Sequence, residues 1–178
     1  MRSLPKNFRP AQLPMLLKIG PCTCTLRRLH HNDVQRLIDF FHSHSEATIQ
    51  QRYGYHLAQM SPERAIQLVG VSQRRDAALG LLERQGRGSR LVAVGRYCLR
   101  PDGESAEMAF VVHEQRRRLG LATVLLRALI AIARQRKLKR LVAQTQSDNY
   151  AMLRIFLKHG AHLQELTGTD GLEVTLEL

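Results

Sequence analysis

The stretch from residue 106 to residue 137 limits the possible folds more than any other part of the sequence. It opens with an apolar strand predicted over Ala106–His113 and passes through a basic, glycine-containing segment into a helix predicted over Leu121–Lys137. That helix is apolar over a wide face and polar at Arg127, Arg134 and Arg136, which predicts that most of it is buried. A buried helix directly after a strand indicates packing against a sheet.

The rest of the C-terminal half continues this alternation. A strand is predicted over Leu141–Gln146, followed by a helix over Asp148–His159 that Gly160 ends in the left-handed conformation. The chain then finishes as a hairpin of two strands, Ala161–Leu166 and Leu172–Leu178.

The N-terminal half supplies more strands and a group of helices. Asn32 or Asp33 can cap a helix that runs to about His42, and Ser61-Pro62 is typical of a helix start. The other elements predicted here are a strand over Thr23–Leu29, a helix over Glu46–Leu57, and two strands over Ala77–Glu83 and Leu91–Leu99. The order of these elements predicts an α/β fold built on an α+β type of mixed sheet, in which parallel and antiparallel strands occur together and helices cover both faces.

Residues 1–20 differ from the rest because they hold three of the six prolines and show no clear period. We expect them to form a flexible N-terminal arm. A length of 178 residues indicates one domain, which we place at residues 21–178.

The chain is strongly basic, with 27 Lys and Arg against 15 Asp and Glu and a net charge of +12. Such a charge favours an anionic partner: a phosphate-rich cofactor, a nucleic acid or an acidic protein surface. A solvated basic face is the alternative interpretation. Aromatic residues make up only 5% and tryptophan is absent, which disfavours nucleic-acid binding by base stacking without excluding it.

Neither a membrane span nor a secretion signal is expected. No apolar stretch approaches the roughly 18 residues that a span needs, so we expect a cytoplasmic protein with no membrane partner. Cys22-x-Cys24 near His30-His31 suggests a zinc site, but the Cys-x-Cys spacing is not the usual one, and we predict no metal.

The segment 114–123 carries the strongest chemical signal. It joins a strand to a helix, and the first turn of a helix has unpaired N–H groups and a partial positive charge that suit a diphosphate. Gly120 and Ala122 keep side-chain volume low there, and three arginines, Arg116 to Arg118, stand beside them. The segment lacks the motif of a Walker loop and the three glycines of a dinucleotide-binding turn.

Arg117-Arg118-Leu119-Gly120-Leu121-Ala122 resembles the Q/R-x-x-G-x-G/A diphosphate loop of the GNAT superfamily of N-acetyltransferases. Asp148-Asn149 opens the next helix after one further strand, as in that family. The resemblance covers about residues 22–178 and implies the acyl-CoA N-acyltransferase fold, with a central mixed, mostly antiparallel sheet flanked by helices. It also implies acetyl-CoA as co-substrate and no metal. The residues implied to bind its diphosphate are Arg117, Arg118, Leu119, Gly120, Leu121, Ala122 and Thr123.

A closer resemblance is to the acetyltransferase domain of bacterial protein-lysine acetyltransferases. Their catalytic strand reads A-E-x-A-x-x-V, like residues 106–112, and a later helix reads D-N-x-A-M-L, like residues 148–153. Their early segment resembles Leu26-Arg27-Arg28-Leu29 followed by an Asp-containing helix.

This resemblance assigns roles to individual residues. It makes Glu107 the general base, whereas the alternation of the strand is equally consistent with a solvent-facing glutamate. It implies that the main chain of Phe110, Val111 and Val112 pairs with the pantetheine arm, although three apolar residues also suit a core strand. It places Asn149 on the cofactor, and helix capping is an equally good explanation on local grounds.

One family feature is missing. Many GNAT enzymes carry a tyrosine seven residues after the helix-opening asparagine, to protonate the leaving thiolate. This position is Phe156 here, which we expect in the core, while Tyr150 lies at the other end of the helix and is expected to face solvent. The identity of the general acid stays open.

The sequence thus predicts an acetyl-CoA-dependent N-acetyltransferase that acts by direct attack in a ternary complex, most plausibly on a protein lysine. A small-molecule amine, a protein N-terminus, and a non-catalytic acyl-CoA sensor are the alternatives. Residues 44–70, with Arg52, Tyr53 and Tyr55, are expected to form the wall of the acceptor site.

Overall fold

The computed structural model describes residues 4–53, 59–70 and 75–178, and it builds them around one sheet of eight strands. The spatial order of the strands is β1-β2-β3-β4-β5-β6-β8-β7. Neighbouring strands are antiparallel except for β5 and β6, which run parallel. The strands are β1 Met15–Ile19, β2 Cys22–Arg28, β3 Ala77–Gln85, β4 Gly88–Leu99, β5 Ser105–Val112, β6 Arg140–Gln146, β7 His162–Glu165 and β8 Gly171–Glu177.

Helices cover both faces of this sheet. They are α1 Val34–His42, α2 Glu46–Tyr53, α3 Pro62–Val69, α4 Leu121–Gln135 and α5 Tyr150–Lys158. The predicted fold class, a mixed and mostly antiparallel sheet flanked by helices, is confirmed.

Each face of the sheet carries its own hydrophobic cluster. The larger one holds α4 and α5 together with β-strand residues such as Ala106 and Met108. The smaller one holds α1 and α3 with residues such as Val94 and Val111. Because side chains alternate along a strand, Glu107, Ala109 and Val111 of β5 share the α1 and α3 face.

The helix ends follow the sequence in one case and depart from it in another. Ser61 caps α3 as predicted, since its hydroxyl accepts from the Arg64 N–H at 3.2 Å and Pro62 occupies the first turn. Asp33 precedes α1 but its side chain makes no cap hydrogen bond. The Asp33 carboxylate instead receives two bonds from Arg27, at 2.6 and 2.7 Å.

The prediction of a flexible arm over residues 1–20 is wrong for the part that the structure describes. Met15–Ile19 pairs with β2 along its whole length, and Leu4 and Phe8 are buried in the larger cluster. The strand alternates burial, with Leu17 and Ile19 inside and Leu16 and Lys18 outside. β1 is only five residues long, which is too short for a clear alternation in the sequence. Its strand conformation comes from pairing with β2, so the sequence alone predicted an arm.

This correction predicts that Leu17→Ala destabilises the protein by about 2–5 kcal/mol, the usual cost of such a truncation in a core. Leu17 is 1% exposed, whereas its neighbour Leu16 is 65% exposed, so Leu16→Ala serves as the matched control. Urea unfolding followed by circular dichroism measures both variants. Equal free energies of unfolding for the two variants would show that Leu17 is not part of the core and would support the flexible-arm interpretation.

Candidate functional site

The sheet opens between β5 and β6. The two strands pair at only three positions, Ser105 to Glu107 of β5 with Arg140 to Val142 of β6. β5 continues to Val112 and β6 to Gln146, and their remaining residues are not paired with each other. The strands therefore diverge after Glu107 and leave a gap in the plane of the sheet.

The direction of the main chain shows which residues of β5 face this gap. The C=O of Ser105 accepts from Arg100 on the β4 side at 2.8 Å, and the N–H of His113 donates to Val92 of β4 at 2.9 Å. Residues between them alternate, so the main-chain groups of Phe110 and Val112 face the gap. Those of Val111 face β4, which narrows the predicted pantetheine contacts from three residues to two.

A turn with free amides closes the wide end of the gap. After β5 the chain makes a short 3-10 turn, Glu114–Arg116, and then enters α4 at Leu121. Arg118 and Gly120 both have positive φ values, 62° and 92°. Within the described parts of the chain, the N–H groups of residues 118–123 donate to no backbone or side-chain acceptor. These six amides, at a helix N-terminus, can bind an anion.

The three arginines beside the turn are held in different ways. Arg116 bonds Glu83 with two nitrogens, at 3.2 and 3.0 Å. Arg117 donates to the Thr48 hydroxyl at 2.7 Å. Arg118 is exposed and has no ion pair with a described residue. Glu83 thus neutralises Arg116, whereas Arg117 and Arg118 have no ion pair with a described residue and are the better placed to bind an anion.

The turn between β1 and β2 lies against this anion site. A Cβ added to Gly120 would lie 3.8 Å from Ile19, and one added to Gly20 would lie 3.8 Å from Leu119. Sequence reasoning did not place residues 19–20 here, because they belonged to the predicted arm.

Glu114 links the turn to the start of α2. One of its carboxylate oxygens accepts from the Ser45 N–H at 2.9 Å, the Ser45 hydroxyl at 2.5 Å and the Thr48 hydroxyl at 2.7 Å. The hydrogen bonds from Ser45 and Thr48 lower the pKa of Glu114 to about 2. Glu114 therefore stays ionised throughout the physiological pH range. Sequence reasoning missed these contacts, because Thr48 and Ser45 lie 66 and 69 residues before Glu114 in the chain.

Glu107 lies where the two strands separate. It is exposed, and its Cα pairs with Cys98 of β4 on one side and with Val142 of β6 on the other. Two residues further along β5, on the same face, Ala109 enters the lining of a narrow and mostly apolar slot. The slot is lined by Leu29, Leu37, Leu68, Val94, Arg96, Ala109 and Val111. A carboxylate thus lies on the slot side of the sheet at the narrow end of the gap.

The structure favours the capping explanation for Asn149. Its amide oxygen accepts from the Met152 N–H at 3.5 Å, and its amide nitrogen donates to Thr145 at 2.9 Å. Phe156 is buried with 2% exposure and Tyr150 is 74% exposed, as expected for both. Phe156 has no acidic proton to donate, and the Tyr150 side chain lies mostly in solvent.

The expected acceptor wall is described only in part. Arg52 and Tyr53 belong to α2, whereas Tyr55 lies outside the described residues. Ile49 of α2 packs against the cluster that contains Val111, on the face that carries Glu107. Among the described residues, no group of three or more His, Cys, Asp or Glu side chains could hold a metal ion. No helix in those same ranges has the length and apolar character needed to cross a membrane.

Fold and site together define an α/β protein whose sheet splits beside a turn with free main-chain amides. Residues 37–161, more than half of the chain, match the model of the acetyltransferase (GNAT) family. The chain belongs to the GNAT acetyltransferase family, which confirms the resemblance found in the sequence. Members of this family use acetyl-CoA as a co-substrate.

Solved structures share the fold. The GNAT domain of S. lividans PAT superposes with a TM-score of 0.77 at 21% identity, covering 88% of this chain and 91% of that one. Ribosomal-protein-alanine N-acetyltransferase from Brucella melitensis gives a TM-score of 0.68 at 21% identity, with 86% and 99% covered. An N-acetyltransferase from Staphylococcus aureus Mu50 gives 0.68 at 17% identity, with 87% and 97% covered.

The turn generates a stability prediction. Gly120→Ala places a Cβ on a residue with φ of 92°, so we expect a loss of about 1–2 kcal/mol. Gly88→Ala is the matched control, because Gly88 has no positive φ and an added Cβ there would meet nothing nearer than 3.8 Å. That control should be neutral or gain up to about 1 kcal/mol. Urea unfolding of both variants checks this difference, and a neutral Gly120→Ala would contradict it.

Proposed function

We propose that this protein transfers an acetyl group from acetyl-CoA to a primary amine, and that the amine is the side chain of a protein lysine. The observation that carries the proposal is the gap between β5 and β6. It has unpaired main-chain groups along its side, free amides at its wide end, and Glu107 at its narrow end.

Acetyl-CoA fits the gap by its chemistry. Its pantetheine arm contains amides that can pair with the main chain of Phe110 and Val112, as an added strand would. Its diphosphate would receive the N–H groups of residues 118–123, together with the remaining donors of Arg117 and Arg118. An N–H of β5 would polarise the thioester carbonyl and stabilise the oxyanion that forms during attack.

Glu107 supports the proposal because the acceptor must lose a proton before it can attack. A lysine has an ordinary pKa of about 10.4, so neutralising it at pH 7 costs roughly 4.6 kcal/mol. Glu107 would take this proton directly or through one water molecule. The neutral amine nitrogen then attacks the thioester carbon, and the C–S bond breaks with its electron pair passing to the sulfur of CoA. The nitrogen releases its second proton to water as the amide forms.

The leaving thiolate does not require a dedicated acid. A free thiol has an ordinary pKa of about 8.5, so a thiolate is a moderately stable leaving group near neutral pH. Phe156 is buried and has no acidic proton, and Tyr150 faces solvent. We therefore propose that the CoA thiolate takes its proton from water.

The apolar slot supports an aliphatic amine as acceptor. The slot is lined by Leu29, Leu37, Leu68, Val94, Ala109 and Val111 together with Arg96. Its apolar walls suit the four methylene groups of a lysine, and the Arg96 guanidinium would favour the neutral amine over the charged one. The basic character of the chain, with a net charge of +12, disfavours small polycations and favours a lysine presented on an acidic protein surface. S. lividans PAT and the Brucella ribosomal-protein-alanine enzyme share the fold, and the latter's name makes a protein N-terminus the second candidate.

The proposal predicts that Glu107→Gln lowers kcat/KM for the amine by about 10²–10⁴, the usual contribution of a general base. The Kd for CoA should remain unchanged, since Glu107 faces the slot and not the diphosphate turn. The deficit should shrink as the pH rises from 7 to 9, because the free fraction of neutral amine grows. Steady-state rates with a lysine peptide and calorimetry with CoA measure these quantities.

Glu165→Gln is the matched control, because Glu165 is exposed on the edge strand β7. It should leave both the rate and the Kd unchanged. If Glu107→Gln keeps the full rate, Glu107 is not the base. If the unaltered protein binds CoA but acetylates no amine, it is an acyl-CoA sensor. Mass spectrometry of lysate proteins after incubation with labelled acetyl-CoA separates lysine acetylation from acetylation of N-termini and of small amines.

A further inference from the structure

The start of α2 depends on a residue from the diphosphate turn. Ser45 precedes this helix, and its hydroxyl accepts from the Thr48 N–H at 3.4 Å, as a helix-capping serine does. In a complete capping box, a Glu three residues after the cap would accept from the N–H of the capping residue. Thr48 occupies that position and leaves this task open. Glu114 performs it from the turn, by accepting the Ser45 N–H at 2.9 Å.

This dependence matters because the described part of α2 is eight residues long. A helix of that length is marginal in water without outside support. Its first turn is held by the Glu114 carboxylate, and Thr48, which is 7% exposed, lies between the two elements. The order of α2 is therefore tied to the position of the turn.

Thr48 also orients a residue of the proposed diphosphate site. Its hydroxyl donates to Glu114 and accepts from Arg117, both at 2.7 Å. A hydroxyl has one proton to donate, so this pair of bonds gives the chain Arg117–Thr48–Glu114 one direction. A guanidinium has five N–H donors, which lets Arg117 keep Thr48 and still bind phosphate oxygens.

We propose that Thr48 and Glu114 are positioning residues that couple occupancy of the diphosphate site to the order of α2. This inference rests on the proposed function, because it takes the anion to be the diphosphate of CoA. Binding of CoA holds Arg117, Arg117 holds Thr48, and the first turn of α2 becomes less free to open. Since Ile49 of α2 packs on the face that carries Glu107, the bound donor organises the acceptor side.

Hydrogen exchange with CoA as the probe tests this coupling. In the unaltered protein, CoA should slow amide exchange in two segments, residues 118–123 and residues 46–53. Thr48→Val should retain the protection of residues 118–123 and lose that of residues 46–53. It should also weaken CoA binding by about tenfold, the lower end of what the loss of one hydrogen bond to a charged partner costs.

Three further variants make the result specific. Thr48→Ser retains the hydroxyl and should restore the protection of α2. Glu114→Met removes the acceptor oxygen that Ser45 and Thr48 share at similar side-chain length, so it should lose that protection as Thr48→Val does, and it provides a second route if one variant folds poorly. Thr23→Val removes a hydroxyl from an exposed position of β2 and is the matched control, with no change expected in either segment.

The outcomes distinguish this inference from the proposed function. Protection of residues 118–123 by CoA without protection of residues 46–53 in the unaltered protein would overturn the coupling and leave the transferase intact. Protection of α2 that persists in both Thr48→Val and Glu114→Met would also overturn the coupling. Absence of CoA binding to the unaltered protein would remove the proposed function, and the inference with it.

Discussion

The divergence of β5 from β6 is the constraint on which the rest of the structure depends. Parallel pairing stops after Glu107, and the main-chain groups of β5 beyond that point need other partners because unpaired backbone groups are costly when buried. Within residues 4–53, 59–70 and 75–178, no further strand fills the gap. An extended ligand that carries amides can do so, which is why a pantetheine arm suits this opening.

Packing around the gap keeps it open. Gly95 of β4 lies opposite Phe110 of β5, and a Cβ added to Gly95 would approach both Phe110 and Leu125 of α4 to 3.1 Å. The absence of that Cβ lets α4 lie close beneath the sheet, and the Phe110 ring is directed to the α4 side, with its centroid 6.1 Å from that of Phe156. The N-terminus of α4 thereby lies at the wide end of the gap, where its free amides can bind an anion.

The sequence predicted those parts of the fold that leave local signals. The apolar stripe of α4, the serine and proline that start α3, and the glycine turns each act within a few residues, so their elements were placed correctly. β1 was missed, because its strand character comes from pairing with β2 and from the burial of Leu4 and Phe8 elsewhere in the core. Arg117–Thr123 could be proposed as an anion site from composition and order. The bonds of Glu114 to Ser45 and Thr48 could not, because they join distant segments.

The net charge can be counted from the sequence, but the ion pairs between distant residues cannot be predicted from it. The net charge of +12 indicates an anionic partner, but the sequence does not reveal which cations are available to bind one. Arg27 is held by Asp33, Arg90 and Arg116 by Glu83, and Arg136 by the buried Tyr97 hydroxyl. Arg118 is different, since it is exposed and its φ of 62° is a conformation that costs a non-glycine residue free energy. Strain of this kind persists where the surrounding structure imposes it, and here it lies in the turn whose amides are free. The proposed anion site therefore depends mainly on the main chain, and Arg118 and Arg117 would add charge to a geometry that the backbone already supplies.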